Sequence, residues 1–282
     1  MRPHFLFRIC STVLLLATPA TLAQDDPNID QTVLVTKVDP SIKIAMKGRA
    51  GNLELKSTNR FGEGLAVTDY QQGEGFVEYN RASQTLTWRT KIPYTLNRLA
   101  KSIKKKAPYM RLDLPKGAEL DFDLKIKSLG YGTLDFTNLN VSHFNLDVNY
   151  GDVDVSFPTV NNSIVRDEAR FHLMAGDLEV YNLANLNAAK VRINGGVGEL
   201  TVDMGDKLLR DTRIKLDMDI GTLELIVPKG TRLMVRGTSR DLTPFGLQKS
   251  GKVWEPTSYS NSSPLLEVKA KGPMGNLIIT WK

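Results

Sequence analysis

Residues 171–225 repeat one short pattern three times, and this pattern decides the fold. Each copy has a three-residue alternating segment, then a glycine, then a segment in which every second residue is apolar. The copies are Phe171-His-Leu173 with Gly176-Asp-Leu178-Glu-Val180, Val191-Arg-Ile193 with Gly198-Glu-Leu200-Thr-Val202, and Ile214-Lys-Leu216 with Gly221-Thr-Leu223-Glu-Leu225. Alternation with a period of two is typical of strands that bury one face. Each copy therefore predicts two short strands joined at a glycine corner.

The same unit recurs on both sides of this stretch. Upstream copies contain Gly51, Gly132 and Gly151, and a downstream copy contains Gly275. From residue 132 to residue 221 the corner glycines are 19, 25, 22 and 23 residues apart. Repeats of this length cannot bury an apolar face alone, and they predict stacked coils that share one core. We therefore predict an all-β, single-domain β-solenoid (β-helix) with coils of about 22 residues.

The alternation also predicts which side chains face the core. The apolar residues after each corner glycine should point inward and stack as two columns, about 4.8 Å apart from coil to coil. They are Leu134 and Phe136, Val153 and Val155, Leu178 and Val180, Leu200 and Val202, and Leu223 and Leu225. Each such side chain stabilises the fold by about 1.5–3 kcal/mol when it is fully buried.

The regularity of the repeats divides the chain. Regular coils are expected over about 109–236, looser coils over about 32–108, and an insertion with a cap over 237–282. Trp281 is predicted to cover the last coil, where an aromatic cap protects the open sheet end from pairing with another chain. All of these segments are predicted to belong to one domain, residues 24–282.

The first 23 residues have the features of a secretory signal peptide. Arg2 and Arg8 supply positive charge, and residues 13–17 supply a short apolar core. Thr21 and Ala23 are small residues at the two positions that a signal peptidase reads. We expect cleavage after Ala23 and export to the periplasm or the cell surface. The single cysteine, Cys10, would leave with the signal, so the mature chain must be held together by its core and its strand pairing.

The formal charge of the chain is +6, and it overstates the basic character of the mature protein. Removal of residues 1–23 takes away two arginines, which leaves 35 basic against 31 acidic residues. This balance and the expected export argue against a nucleic-acid partner. The surplus is concentrated in Arg98, Lys101, Lys104, Lys105 and Lys106. This segment is a candidate for peripheral contact with anionic lipid or an acidic polymer, although charge runs are more often solvated loops.

The outward positions of the regular strands carry acidic residues. Asp154 and Glu179 are expected to lie one strand apart, close enough to share a calcium ion, with Asp152 and Asp177 beside them. A solvated acidic face is the more common arrangement. The chain also lacks the Gly-Gly-x-Gly-x-Asp repeat that is the strong calcium signature of β-helices.

The sequence predicts no catalytic residue and no cofactor. Only His143 and His172 remain after removal of the signal, and without cysteine they do not suggest a zinc site. Carboxylate pairs of the glycosidase type are abundant on the outward faces, because outward positions are polar in general, and nothing singles one out.

The repeats resemble a known group of bacterial proteins. The units at 176–180, 195–203, 220–228 and 275–279 are similar to the bacterial toast-rack domain and to the related putative-adhesin solenoids of the cell envelope. The resemblance covers about residues 40–282. It implies a right-handed β-solenoid exposed outside the cytoplasmic membrane, and it offers no catalytic residues to transfer. Some members of the group belong to envelope-stress sensing systems.

Two functions follow from these observations. The first is a non-enzymatic, exported binding or scaffold module of the envelope, adhesin-like or associated with envelope stress, whose partner is an envelope protein or glycan. A solenoid offers a long, regular surface suited to extended partners. The alternative is a β-helix polysaccharide lyase or hydrolase, which requires converging acids with perturbed pKa values.

Overall fold

A computed structural model describes residues 31–35, 41–48, 51–60, 65–69, 75–90, 109–259, 263–271 and 274–282. The fold of these residues is all-β, as predicted, and their 17 strands belong to one sheet. The first strands are β1 (Gln31–Val35), β2 (Ser41–Gly48), β3 (Gly51–Thr58), β4 (Leu65–Asp69), β5 (Gly75–Asn80), β6 (Thr85–Thr90) and β7 (Tyr109–Pro115). The long central strands are β8 (Glu119–Asp135), β9 (Asn140–Ser156), β10 (Ala169–Tyr181), β11 (Lys190–Asp203) and β12 (Thr212–Val227). The last strands are β13 (Arg232–Arg236), β14 (Leu247–Ser250), β15 (Val253–Pro256), β16 (Leu265–Lys271) and β17 (Met274–Trp281). Two 3₁₀ helices span Leu183–Leu186 and Thr243–Phe245.

The central strands β8 to β12 lie side by side in parallel. Paired residues are 25 positions apart in sequence between β9 and β10, 22 between β10 and β11, and 23 between β11 and β12. Strands β9 to β12 each continue through a corner glycine. We call the residues before that glycine the first arm and those after it the second arm.

Apolar side chains of neighbouring strands pack in register and form the core. One column of the second arms contains Val153, Leu178, Leu200, Leu223 and Leu277, and the next contains Leu55, Leu134, Val155, Val180, Val202, Leu225 and Ile279. All of these side chains are buried. The polar residues between them lie on the opposite face of the sheet, because successive side chains of a strand alternate in direction.

The predicted alignment is wrong at β8. Gly132 lies opposite Val153 rather than Gly151, and Leu134 lies opposite Val155 rather than Val153. The two glycines are 19 residues apart, whereas paired residues here are 21 apart, so the glycine spacing misplaces this coil by two positions. A register irregularity in the preceding part of β8 adds to the mismatch.

Five phenylalanines form a continuous aromatic cluster in the core at this end of the central stack. Phe136, displaced by the shifted register, stacks on Phe157 with ring centroids 5.1 Å apart. Phe144 lies between the rings of Phe122 and Phe171, with centroid distances of 5.4 and 4.6 Å. Aromatic pairs at these distances contribute about 0.5–1.5 kcal/mol beyond the area that they bury.

The corner glycines have a specific steric reason to be glycine. Gly176, Gly198 and Gly221 have φ angles of +128°, +141° and +129°. A Cβ atom built on any of them would overlap the carbonyl oxygen of the corner glycine on the preceding strand, which is Gly151 for Gly176. Both the dihedral angle and the close backbone contact therefore require a residue without a side chain.

The spatial order of the strands departs from their sequence order at both ends. Strands β2 and β3 pair with β8 on one side and with β6 and β7 on the other. Residues 41–58 thus lie between the central stack and strands that follow them in sequence. At the other end, β16 lies between β12 and β13, although β13 follows β12 directly along the chain.

Antiparallel strands border the stack at both ends of the described chain. Strands β5, β4 and β1 add to one end, and β15 and β14 add to the other. Trp281, the predicted cap, lies at the end of β17 opposite Val227. Its Nε1 donates a hydrogen bond to the carbonyl oxygen of Phe245, 2.8 Å away. Trp281 therefore ties the second 3₁₀ helix to the last strand.

Candidate functional site

The predicted acidic residues lie on the outward face of the second arms. Asp154 is directly opposite Glu179, as predicted. Asp152 and Asp177 accept hydrogen bonds from backbone N–H groups. Asp152 Oδ1 accepts from the N–H of Asp177 at 3.3 Å, and Asp177 Oδ1 accepts from the N–H of Glu199 at 3.0 Å. Two of the four candidate metal ligands thus bond to the strand that follows them in the stack.

Tyrosine hydroxyl groups contact the other two carboxylates. Tyr131 donates to Asp154 Oδ2 at 2.5 Å, and Tyr181 donates to Glu179 Oε2. Burial raises the pKa of Glu179 above its ordinary value, and the charges of neighbouring carboxylates, Asp154 first, raise it further. The hydrogen bond to Asp154 raises the pKa of the Tyr131 hydroxyl.

These contacts do not assemble a metal site among the residues that the structure describes. No group of three or more His, Cys, Asp or Glu side chains in those ranges is placed to hold a metal ion. Asp154 and Glu179 are brought together as predicted. Two carboxylates supply fewer oxygen atoms than the six to eight that a calcium ion normally binds.

Other predicted residues are dispersed or lie outside the described ranges. His143 is opposite Asp121 on β8, whereas His172 lies further along β10, opposite Asp147 and Asn194. Two predictions concern residues outside the described ranges: the signal peptide, residues 1–23, and the basic segment with Arg98, Lys101, Lys104, Lys105 and Lys106.

A second charged face, which the sequence reasoning missed, lies on the first arms. Five adjacent strands carry a cation at the same outward position: Arg170, Arg192, Lys215, Lys269 and Arg236, each opposite the next. We call these five residues the basic ladder. At a strand spacing of about 4.8 Å, the ladder is about 19 Å long.

A signal for most of this ladder is present in the sequence. Arg170, Arg192, Lys215 and Lys269 each lie six residues before the glycine of their own repeat, at 176, 198, 221 and 275. The signal emerges when the repeats are aligned on the glycine and their polar positions are compared. Arg236 has no such signal, because strand order alone places β13 beside β16.

Glu168 partly neutralises the near end of the ladder. Its carboxylate lies 3.0 Å from Arg192 Nε, 3.5 Å from Arg170 Nε and 3.7 Å from Lys215 Nζ. Burial pushes the pKa of Glu168 upward, but the hydrogen bond from Arg192 and the surrounding positive charges outweigh burial and hold the pKa below its ordinary value. Glu168 therefore stays ionised and orients three cations.

Glu267 partly neutralises the far end of the ladder. It lies 2.8 Å from Arg213 Nε and 3.8 Å from Arg236 Nε. Arg213 and Lys190 are opposite each other, one outward position before the ladder. The ladder and this neighbouring position, together with Glu168 and the exposed Asp167, contain seven cations and three carboxylates. A surface cavity of about 370 Å³ lies here, lined by Asp167, Glu168, Lys190, Val191, Arg213 and Lys215.

Comparison with known proteins finds similarity to solved structures only. No protein-family model and no curated protein matches the chain. The chain is similar to a putative cell adhesion protein from Clostridium sporogenes, with 13% identity, a TM-score of 0.37, and coverage of 89% of this chain and 99% of that one. It is also similar to a putative adhesin from Bacteroides fragilis, with 14% identity, a TM-score of 0.36, and coverage of 89% and 98%. Both names refer to adhesion, as does the name of the group that the glycine repeats resemble.

No helix within the described ranges is long and apolar enough to cross a membrane.

Proposed function

We propose that this chain is an exported, non-enzymatic binding or scaffold module, adhesin-like, built as a right-handed β-solenoid with coils of about 22 residues. The offsets of 25, 22 and 23 residues between paired positions of β9 to β12 support this architecture, because each repeat adds one parallel strand. In such a stack each coil contacts only its neighbours, so each added repeat extends one continuous surface.

The basic ladder is the observation that carries the binding function. Five cations from five different strands occupy one line on a sheet whose opposite face is a buried core. The line is rigid, because the positions of its members are set by strand pairing rather than by loops. A surface of this kind offers the same contact repeatedly to a linear partner.

The proposed location is the periplasm or the cell surface, after removal of residues 1–23. It is supported by Arg2 and Arg8 before the apolar residues 13–17, and by small residues before the cleavage position. The proposed partner is a glycan or a protein of the cell envelope. A role associated with envelope stress is a variant of the same proposal.

Incubation of the purified exported protein with a panel of bacterial and plant polysaccharides tests this function. Co-sedimentation measures binding, and assays for new reducing ends and for unsaturated sugars measure cleavage. We expect binding without cleavage, and heat-denatured protein serves as the control. Cleavage that a single carboxylate substitution abolishes would contradict the proposal and establish the rival, a β-helix polysaccharide lyase or hydrolase.

A further inference from the structure

We infer that the basic ladder is the binding face for a linear acidic polysaccharide, which lies across the strands from Arg170 to Arg236. This inference rests on the proposed binding function and names its ligand class and its site. Neighbouring cations are one strand apart, about 4.8 Å, along a line of about 19 Å. A polymer with one negative group on each sugar can contact several of them at once.

The side chains of the ladder are available to such a ligand. The exposed fractions of the Arg170, Arg192 and Lys215 side chains are 62%, 42% and 47%, and that of Arg236 is 49%. Three of the five are arginines, whose planar groups donate two parallel hydrogen bonds to a carboxylate or sulfate. The ion pairs with Glu168 and Glu267 leave part of each guanidinium free to donate outward.

Repulsion between the cations of the ladder lowers the stability of the sheet. Like charges directly opposite each other on neighbouring strands destabilise a sheet. Here five cations follow one another without an interposed acid, and the two glutamates that offset them lie beside the line. An anionic ligand along the line relieves this repulsion, so binding and stability are coupled.

A linear polymer fits this face better than a membrane or a nucleic acid. The charges form a narrow line rather than a broad patch. The ladder and the adjacent outward column, which runs through Lys190, Arg213, Glu267 and Met234, contain no Phe, Tyr or Trp. Interfacial binding uses apolar side chains beside the cations, and single-stranded nucleic acids are bound through stacked aromatic rings.

The negative charge of the second arms explains why the polymer binds only the first arms. Their outward positions carry Asp152, Asp154, Asp177, Glu179 and Glu199, several of them in register. This acidic ladder repels a polyanion, so that electrostatics alone selects the first arms and orients the protein on the polymer.

Binding to polygalacturonate, with neutral dextran as the matched polymer, tests the inference. We expect wild-type protein to bind polygalacturonate and not dextran, with affinity that falls steeply as salt is added. The double variant R192Q/K215Q should lose at least about tenfold in affinity at low salt. K207Q/K229Q, which removes the same charge from exposed lysines outside the first arms, should change affinity by less than about twofold.

Folding is checked for each variant by its thermal midpoint. If R192Q/K215Q does not fold, Lys269→Gln on β16 replaces it, and the charge-conserving pair R192K/K215R should retain binding. Equal losses of affinity in the ladder and control variants would overturn the inference. It would also be overturned if the ladder bound phosphatidylserine vesicles and did not bind polygalacturonate. Ladder-independent binding of any polysaccharide would also overturn it while leaving the proposed function intact. Cleavage of the polymer would instead remove the proposed function.

Discussion

Arg192 on β11 donates its Nε to Oε2 of Glu168, 3.0 Å away in the segment that leads into β10. The same carboxylate faces Arg170 and Lys215. One half-buried acid thus holds cations from three neighbouring strands in a defined position. This relationship links the stability of the first arms to the geometry of the basic ladder.

The first prediction concerns the pH dependence of this contact. Because the folded-state pKa of Glu168 is lowered, its carboxylate stabilises the fold above the ordinary glutamate pKa, and this contribution is lost as the pH falls through the lowered pKa. Glu168→Gln should therefore be less stable than wild type at neutral pH, by about 1 kcal/mol or less. The thermal midpoints of wild type and Glu168→Gln, measured from neutral to strongly acidic pH, should converge at the acidic end. A difference that does not change with pH would show that the charge of Glu168 is not involved.

The second prediction concerns the glycine corners. A Cβ at residue 198 overlaps the carbonyl oxygen of Gly176, and the φ angle of Gly198 is +141°. Gly198→Ala should therefore destabilise the protein by more than the roughly 1–3 kcal/mol of the backbone conformation alone. Gly230→Ala is the matched control, because Gly230 also has positive φ, +77°, but has open space around it. Denaturant unfolding measures both, and an equal loss in the two variants would refute the steric explanation.

The third prediction has the opposite pH sense. The pKa of Glu179 is raised, first by burial and then by neighbouring carboxylates, so its ionisation opposes folding. Stability should fall as the pH rises from the ordinary glutamate pKa through the raised value. Glu179→Gln should be more stable than wild type at neutral pH and equal to it in acid. Thermal midpoints across pH test this, with Glu78→Gln, at an exposed position of β5, as the control. If a calcium ion binds between Asp154 and Glu179, added calcium should make wild type more stable than Glu179→Gln, which would contradict this prediction.

The fourth prediction concerns Asn161, a buried polar residue in the connection between β9 and β10. Its Oδ1 accepts from the N–H of Val141 at 2.9 Å, and its Nδ2 donates to the carbonyls of Val141 and Leu186 at 2.8 and 2.9 Å. Asn161→Leu leaves these three backbone groups without that partner and should destabilise the protein by about 2–4 kcal/mol. Asn162→Leu, at the exposed neighbouring position, should have little effect. Denaturant unfolding measures the free energy of unfolding of both variants. Similar losses in the two variants would contradict the role assigned to Asn161.

The repeats made much of the central stack predictable. The opposition of Asp154 and Glu179 follows from the sequence, because each lies three residues after its corner glycine. The basic ladder follows the same rule at the position six residues before the glycine, in four of its five members. The rule fails at Gly132, where the glycine spacing and the strand offset differ by two residues. Local periodicity predicts which face a side chain occupies, but the partner strand sets its register.

The amino-acid sequence by itself determined the all-β class, the inward columns of β9 to β12 and the glycine corners. These depend on alternation and on backbone sterics, which act between residues close together in the chain. Only the tertiary structure decided the order of strands at the two ends, where β2 and β3 enter beside β8, and β16 enters between β12 and β13. That order adds Arg236 to the basic ladder. It could not be read from periodicity, because strands with the same alternation can pair with any neighbour of matching register, and the choice depends on the burial of the whole sheet.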